Sequence, residues 1–215
     1  FCGILRALLN KGIRAAAFKS GPDYIDPMFH AQVVGAPSRN LDIFLTGKEN
    51  VRRLFAKNAD GKDLALLEGA MGFYDGMADS TDGSAYDLAR TVQAPVVLIV
   101  NGKGAALSLA AMVKGFKEFR PDSGIRGVIL NNVTKMAYQF YKKTLEKETG
   151  VRFYGYFPRL VDAGLESRHL GLVTAGEVGN LESLVARWAA QAAESIDLDG
   201  LLELARTAEP LPYEP

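Results

Sequence analysis

The chain has 215 residues, enough for one large α/β domain or one domain with a short appendage. Apolar residues make up 48% and charged residues 23%, the usual balance of a globular protein with a sizeable core. The 25 basic and 25 acidic side chains cancel, no apolar run is long enough to cross a bilayer and no signal peptide is visible. Nucleic-acid and membrane partners are therefore set aside, although a local cationic pocket for an acidic small molecule is not.

The chain opens inside a helical pattern that runs to Asn10, with Gly12 as its stop. There is no initiator Met, and an upstream segment is expected. Cys2, the single cysteine, excludes an internal disulfide, fits a reducing cytoplasmic setting and reads as a buried small hydrophobe. A strand is predicted over residues 15–19 (AAAFK). The polar cluster SRNLD at 38–42 reads as a link between two helices. Thr46 and Glu49 have the spacing of a capping box and predict a helix start. Further strands are predicted at 64–68 (LALLE), 95–101 (PVVLIVN), 127–131 (GVILN) and 151–157 (VRFYGYF). Helices are predicted at about 83–93, 104–119 and 135–149, the last ended by Gly150. Beyond Asn180 only helical patterns remain, at 180–195 and, after Asp197 as N-cap, at 198–207. The tail EPLPYEP, with three prolines in seven residues, reads as a linker. Strand alternating with helix at this spacing argues an α/β protein with a mostly parallel sheet flanked by helices. Ligands in such sheets sit at the carboxyl ends of the strands, so the polar residues after each apolar run are the ones to weigh.

The first strand leads into FKSGPDYIDP. Lys19 stands at its end, where an ammonium can neutralise phosphate oxygens. Asp23 and Asp26 follow in a Gly-Pro loop and could hold Mg²⁺ together with phosphates and waters. The structural alternative makes Asp26 a helix N-cap before Pro27 and Asp23 a turn residue; on that reading Asp26→Asn costs well under about 1 kcal/mol. In LLEGAMGFYDG, Glu68 ends a strand and is placed to meet a metal. Gly69, Gly72 and Gly76 let backbone approach a ligand, and Asp75 adds a carboxylate. The alternative is a glycine-rich turn with a structural acid. Arg39 could grip a carboxylate with its planar fork or be a solvated loop residue. Asn101, Asn131 and Asn132 follow later strands, where amides could read a purine edge or cap helices. Arg168 and His169 come late in the chain. His30 reads as a helix-surface or core residue. No Cys/His metal spacing, G-x-S-x-G, Rossmann glycine motif or complete Walker A sequence is present.

FKSGPDYIDP, PSRNLD, EGAMGFYDG and SRHLGLV, in this order and spacing, resemble the cobyrinic acid a,c-diamide synthase family. PVVLIVNGKGAALS and GVILNNV are similar to it as well, and the resemblance runs from the first residues to at least Val173. It implies a P-loop fold of the dethiobiotin synthetase type. It also implies a ligase reaction in cobalamin biosynthesis. ATP phosphorylates the c and a acetate carboxylates of a cobyrinic acid-type tetrapyrrole, and ammonia displaces the phosphate to leave an amide. The ammonia comes from glutamine through a C-terminal glutaminase domain of the same polypeptide. On this resemblance Lys19, Asp23, Asp26 and Asp75 carry catalysis, Asp23 and Glu68 serve Mg²⁺, and Lys19 stabilises the transferred phosphoryl group. Asn131, Asn132, Gly69 and Gly72 hold the nucleotide. Tyr24, Ser38, Arg39 and Asn40 meet the substrate. The synthetase domain is expected over 1–195, with 196–215 a helical tail and linker. A homodimer is left open. The sequence departs from the family pattern in three places. The Walker A loop and its strand, expected just before Phe1, are not in it, nor is the glutaminase half. Asn101 stands where many relatives have an aspartate. A nickel-sirohydrochlorin acceptor, a non-catalytic scaffold module and a partition-type ATPase are the competing readings.

Overall fold

The computed structural model describes residues 1–160, 167–168, 171–172 and 181–211. The chain divides into two compact units. The first comprises Phe1–Gln93, Asp162–Ala190 and Glu209–Pro215, the second Ala94–Val161 and Gln191–Ala208.

The first unit is built on a parallel sheet in the order β2-β1-β3, formed by Ser38–Leu41, Ala15–Ser20 and Leu64–Glu68. All six residues of β1 are buried, as a central strand covered on both faces requires. The stretch from Ser38 has the polar composition of a link between helices. It is instead the outer strand of this sheet, its backbone paired with residues 17–20. Four residues of mixed polarity carry no strand periodicity, and the pairing comes from β1. Helix α1 (Cys2–Asn10) packs on β1, with Leu5 and Leu8 inside. A short helix α2 (Ile25–Met28) runs directly into a π-helical segment, Phe29–Val34, which ends at left-handed Gly35. Helix α3 (Ile43–Ala59) begins at Asp42, whose carboxylate accepts from the Leu45 N–H. A second helical stretch does begin just beyond Thr46, across a kink at Gly47, but Thr46 is not its cap. The Thr46 hydroxyl donates back to the Asp42 carbonyl, and the helix is interrupted at Gly47, which has φ +77°. Helix α4 (Ala85–Thr91) is capped by Ser84.

The second unit holds a parallel sheet in the order β4-β5-β6, formed by Val96–Asn101, Ile125–Asn131 and Arg152–Phe157. Helices α5 (Ser108–Phe119) and α6 (Lys135–Thr149) pack together, and α6 and α8 (Leu198–Ala205) lie on β6. Helix α6 is capped by Thr134 and stops at Gly150, at φ +60°. Asp197 caps α8 by accepting from Gly200, as expected from sequence. Residues 167–168 and 171–172 form a two-residue antiparallel pair, β7 and β8, and α7 spans Leu181–Ser195. His169 lies outside the described residues. No described helix is long and apolar enough to cross a membrane.

Candidate functional site

The carboxyl ends of β1 and β3 meet in register, Lys19 beside Glu68. Around this pair the first unit gathers a compact charged cluster. The Lys19 ammonium lies 2.5 Å from Asp26 Oδ2 and 3.7 Å from Glu68 Oε2, with its side chain only 9% exposed. Burial opposes a charged lysine. The hydrogen bond to Asp26 and the charges of Glu68, Asp26 and Asp23 outweigh that cost and hold Lys19 above its ordinary value. Burial likewise pushes the Glu68 carboxyl up, but the His30 hydrogen bond and the Lys19 charge bring it below the usual carboxylate range.

Asp26 is not the helix N-cap. Tyr24 occupies that position, and Asp23 supplies the local cap by accepting from the Ile25 N–H at 2.8 Å. Asp26 sits inside the first turn of α2 and turns its carboxylate to Lys19 instead. Four residues on, and so on the same helical face, His30 is fully buried. Its Nε2 is 3.0 Å from Glu68 Oε2 and its Nδ1 is 3.0 Å from Ser38 Oγ. The sequence reading left His30 out of the site. The signal available was its i, i+4 spacing from Asp26.

The other sequence candidates are placed as follows. The Asn40 amide donates to the carbonyls of Gly21 and Asp23 and so pins the Lys19–Asp23 loop. Arg39 donates to the Ser38 carbonyl, while Tyr24 is 74% exposed beside the cluster. Asp75 folds back to accept from the Gly72 N–H, and no bond joins it to Lys19 or Glu68 among the described residues. A side chain at Gly72 would strike this carboxylate, and one at Gly76 would strike the Asp82 backbone, so both glycines have packing reasons of their own. Met71 at the tip of this loop has φ +58° and is 88% exposed. In the second unit, Asn101 and Asn131 are register partners at the carboxyl ends of β4 and β5. Asn132, at φ +58°, donates to Asn101 Oδ1 at 3.2 Å, as does the Lys103 N–H. Cys2 is half-buried, and burial pushes its thiol up to about 11.

Among the described residues no group of three or more His, Cys, Asp or Glu is gathered to hold a metal by itself. Mg²⁺, as a rule, is held by one or two carboxylates together with waters and phosphates. Glu68 has one oxygen turned to His30 and Lys19, and Asp23 uses one oxygen on Ile25. Each keeps a second oxygen that takes no hydrogen bond among the described residues.

No protein-family model matches the chain. Its fold is similar to that of chloroplast FtsY from Physcomitrella patens, with a TM-score of 0.52 at 16% identity over 87% of this chain and 60% of that one. It is also similar to the MinC:MinD cell division protein complex of Aquifex aeolicus, with a TM-score of 0.51 at 12% identity over 100% of this chain and 92% of that one. Parallel sheets flanked by helices define an α/β protein whose fold is like that of these neighbours. In sequence the chain is 39% identical over 209 residues to the cobyrinate a,c-diamide synthase of Thermoplasma volcanium, covering 97% of this chain and 45% of the relative. It is 40% identical over 215 residues to that of Dehalococcoides mccartyi strain 195 (99% and 46%) and 43% over 211 residues to that of Methanobrevibacter smithii (97% and 47%). Over nearly its whole length the chain is similar to these relatives, all named cobyrinate a,c-diamide synthase. It spans about half the length of these relatives.

Proposed function

We propose that this chain carries the carboxylate-activating part of a cobyrinate a,c-diamide synthase. The observation that bears most weight is the buried Lys19 ammonium held between Asp26 and Glu68 at the carboxyl ends of two adjacent parallel strands. Such strand ends are where α/β proteins bind ligands. Phosphoryl transfer asks mainly for positioning and for charge at the transferred group, which a fixed lysine in a dry setting supplies.

In the proposed reaction an acetate carboxylate of the tetrapyrrole attacks the γ-phosphorus of ATP, and ADP leaves with an acyl phosphate formed. Ammonia then adds to the acyl carbon, the bond to the phosphate oxygen breaks, and phosphate leaves as the nitrogen loses a proton. Lys19 meets the phosphoryl oxygens, and Asp26 keeps it charged and aimed. Glu68 and Asp23 would hold Mg²⁺, which when bound neutralises nucleotide phosphate charge. Arg39 and Tyr24, on the rim, meet the acceptor. Asn131 and Asn132 remain our candidates for the adenine, and Gly69 and Gly72 for backbone contact with the nucleotide. Asp75 is retained as an acid near the acceptor. The relatives' remaining length leaves room for a part that releases ammonia from glutamine. A soluble tetrapyrrole substrate and a lone thiol fit a cytoplasmic enzyme.

The test uses the full-length polypeptide with Mg-ATP, glutamine or ammonia, and cobyrinate labelled with ¹⁸O in its carboxylates. Two amides per macrocycle and one ¹⁸O per phosphate released are expected. Glu68→Gln should lower turnover at least about a hundredfold and flatten the Mg²⁺ dependence, with the protein still folded and its thermal midpoint lowered by loss of the charge facing Lys19. ATP binding without amide formation would favour a scaffold. Unlabelled phosphate would eliminate the acyl phosphate. Nickel-sirohydrochlorin, run as a parallel acceptor, identifies the macrocycle.

A further inference from the structure

His30 has no exposed surface, and both ring nitrogens are engaged, Nδ1 with Ser38 Oγ and Nε2 with Glu68 Oε2, each at 3.0 Å. These two partners belong to β2 and β3, on either side of β1. Phe1 packs against the ring at a 40° tilt, with centroids 4.6 Å apart. Its helix is tied down from α1, where Arg6 donates to the Val34 carbonyl at 3.0 Å. The π-helical turn closes with the Ala36 N–H on the His30 carbonyl at 2.9 Å. A neutral imidazole has one donor and one acceptor nitrogen, and the partner of one decides the proton on the other. A carboxylate can only accept. A serine hydroxyl can rotate to donate. The pairing is complete when Ser38 donates to Nδ1 and Nε2–H donates to Glu68.

We propose that His30, locked by Ser38 as the Nε2–H tautomer, is a positioning residue that fixes one oxygen of Glu68 and leaves the other aimed at the nucleotide-bound cation. Glu68 alone has three rotatable bonds and sits on the last residue of its strand. The Lys19 contact at 3.7 Å is too long to orient it, while the His30 bond is short and buried. Partners of this kind set the direction of a metal-binding carboxylate without touching substrate. The proposal rests on the cation role given to Glu68 above.

The experiment separates the tautomer from the function. Long-range ¹H–¹⁵N correlation of the imidazole rings in the full-length protein reads which nitrogen of His30 carries the proton, with His30→Gln identifying its signals. Nε2–H is expected in the wild type and a mixture in Ser38→Ala. Mn²⁺ binding in the presence of ATP, followed by electron paramagnetic resonance, gives a second readout. Gln places its amide donor near Nε2, whereas Asn places it near Nδ1. His30→Gln should keep Mn²⁺ affinity and kcat within about threefold, while His30→Asn should weaken both by about tenfold or more with the KM for the tetrapyrrole nearly unchanged. Nδ1–H in the wild type, or equal behaviour of the Gln and Asn variants, overturns the proposal. Should His30→Asn not fold, the wild-type ring spectrum and the Ser38→Ala values decide it. If the wild type makes no amide, the functional reading fails, and the ring spectrum and Mn²⁺ affinities still judge His30.

Discussion

At the scale of single residues, the change of partner at Asp26 alters what its removal should do. A helix cap would tolerate Asn almost freely. An ion pair with a lysine that is 9% exposed does not, because Asn leaves a buried ammonium short of its nearest counter-charge. Glu68 at 3.7 Å offsets part of the loss. Asp26→Asn should therefore cost about 1–3 kcal/mol in urea unfolding, and lower kcat as well. A cost near zero would return Asp26 to a capping role. A second residue-scale prediction concerns Asp63. Arg14 grips it with Nη2 at 2.6 Å, Nε at 3.0 Å and its backbone N–H at 2.9 Å. These hydrogen bonds lower the Asp63 pKa from 3.8 to about 2. The folded value lies below the unfolded one, so the contribution to stability is present above 3.8 and is lost as pH falls through about 2. The stability gap between wild type and Asp63→Asn, followed by chemical denaturation, should be constant above pH about 5 and narrow below it. A gap that widens on acidification would mean the pairing is absent in solution.

At the scale of elements, the tightest constraint in the second unit is Gly155 on β6. Its φ is +147°, and it bridges antiparallel to Ile196, after the end of α7. A Cβ there would collide with the Ser195 carbonyl oxygen and the Ile196 Cα, both backbone atoms that no rotamer change can move. Gly155→Ala should destabilise the protein by about 2–4 kcal/mol, seen as a lower thermal midpoint. A loss under about 0.5 kcal/mol would show that the contact relaxes freely. Gly150, by contrast, is a helix terminator with room around it, with Lys117 Nζ at 3.4 Å the only atom within reach among the described residues. Element boundaries were legible where such stops occur. The capping at Asp42 was missed because Thr46 and Glu49 offer the same chemistry four residues later, and only the bond from Leu45 distinguishes them. Strand β2 was missed because its pairing with β1 supplies what its four residues lack in periodicity.

For the molecule as a whole, burial is deepest in β1 of the first sheet and is shared by β5 and β6 in the second. β1 is buried throughout and β5 nearly so, while β2 and β4 have exposed residues. Amides of β1 and β5 should exchange most slowly in native-state hydrogen exchange, by at least about tenfold over β2 and β4. Protection of β2 and β4 equal to that of β1 and β5 would contradict this ordering. The alternation of apolar runs with helical periods was sufficient, by itself, to specify parallel sheets flanked by helices, because period and run length are local properties of the chain. The positions of Lys19 and Glu68 at strand ends followed from the same runs. The order of four motifs was enough to point to the family. What tertiary structure alone decided is which polar groups meet. Asp26 faces Lys19 and not its own helix start, Asp75 turns back on Gly72, and His30 joins Ser38 to Glu68. These contacts depend on where a helix face lands on the ends of strands distant in sequence. Local periodicity carries no record of that placement.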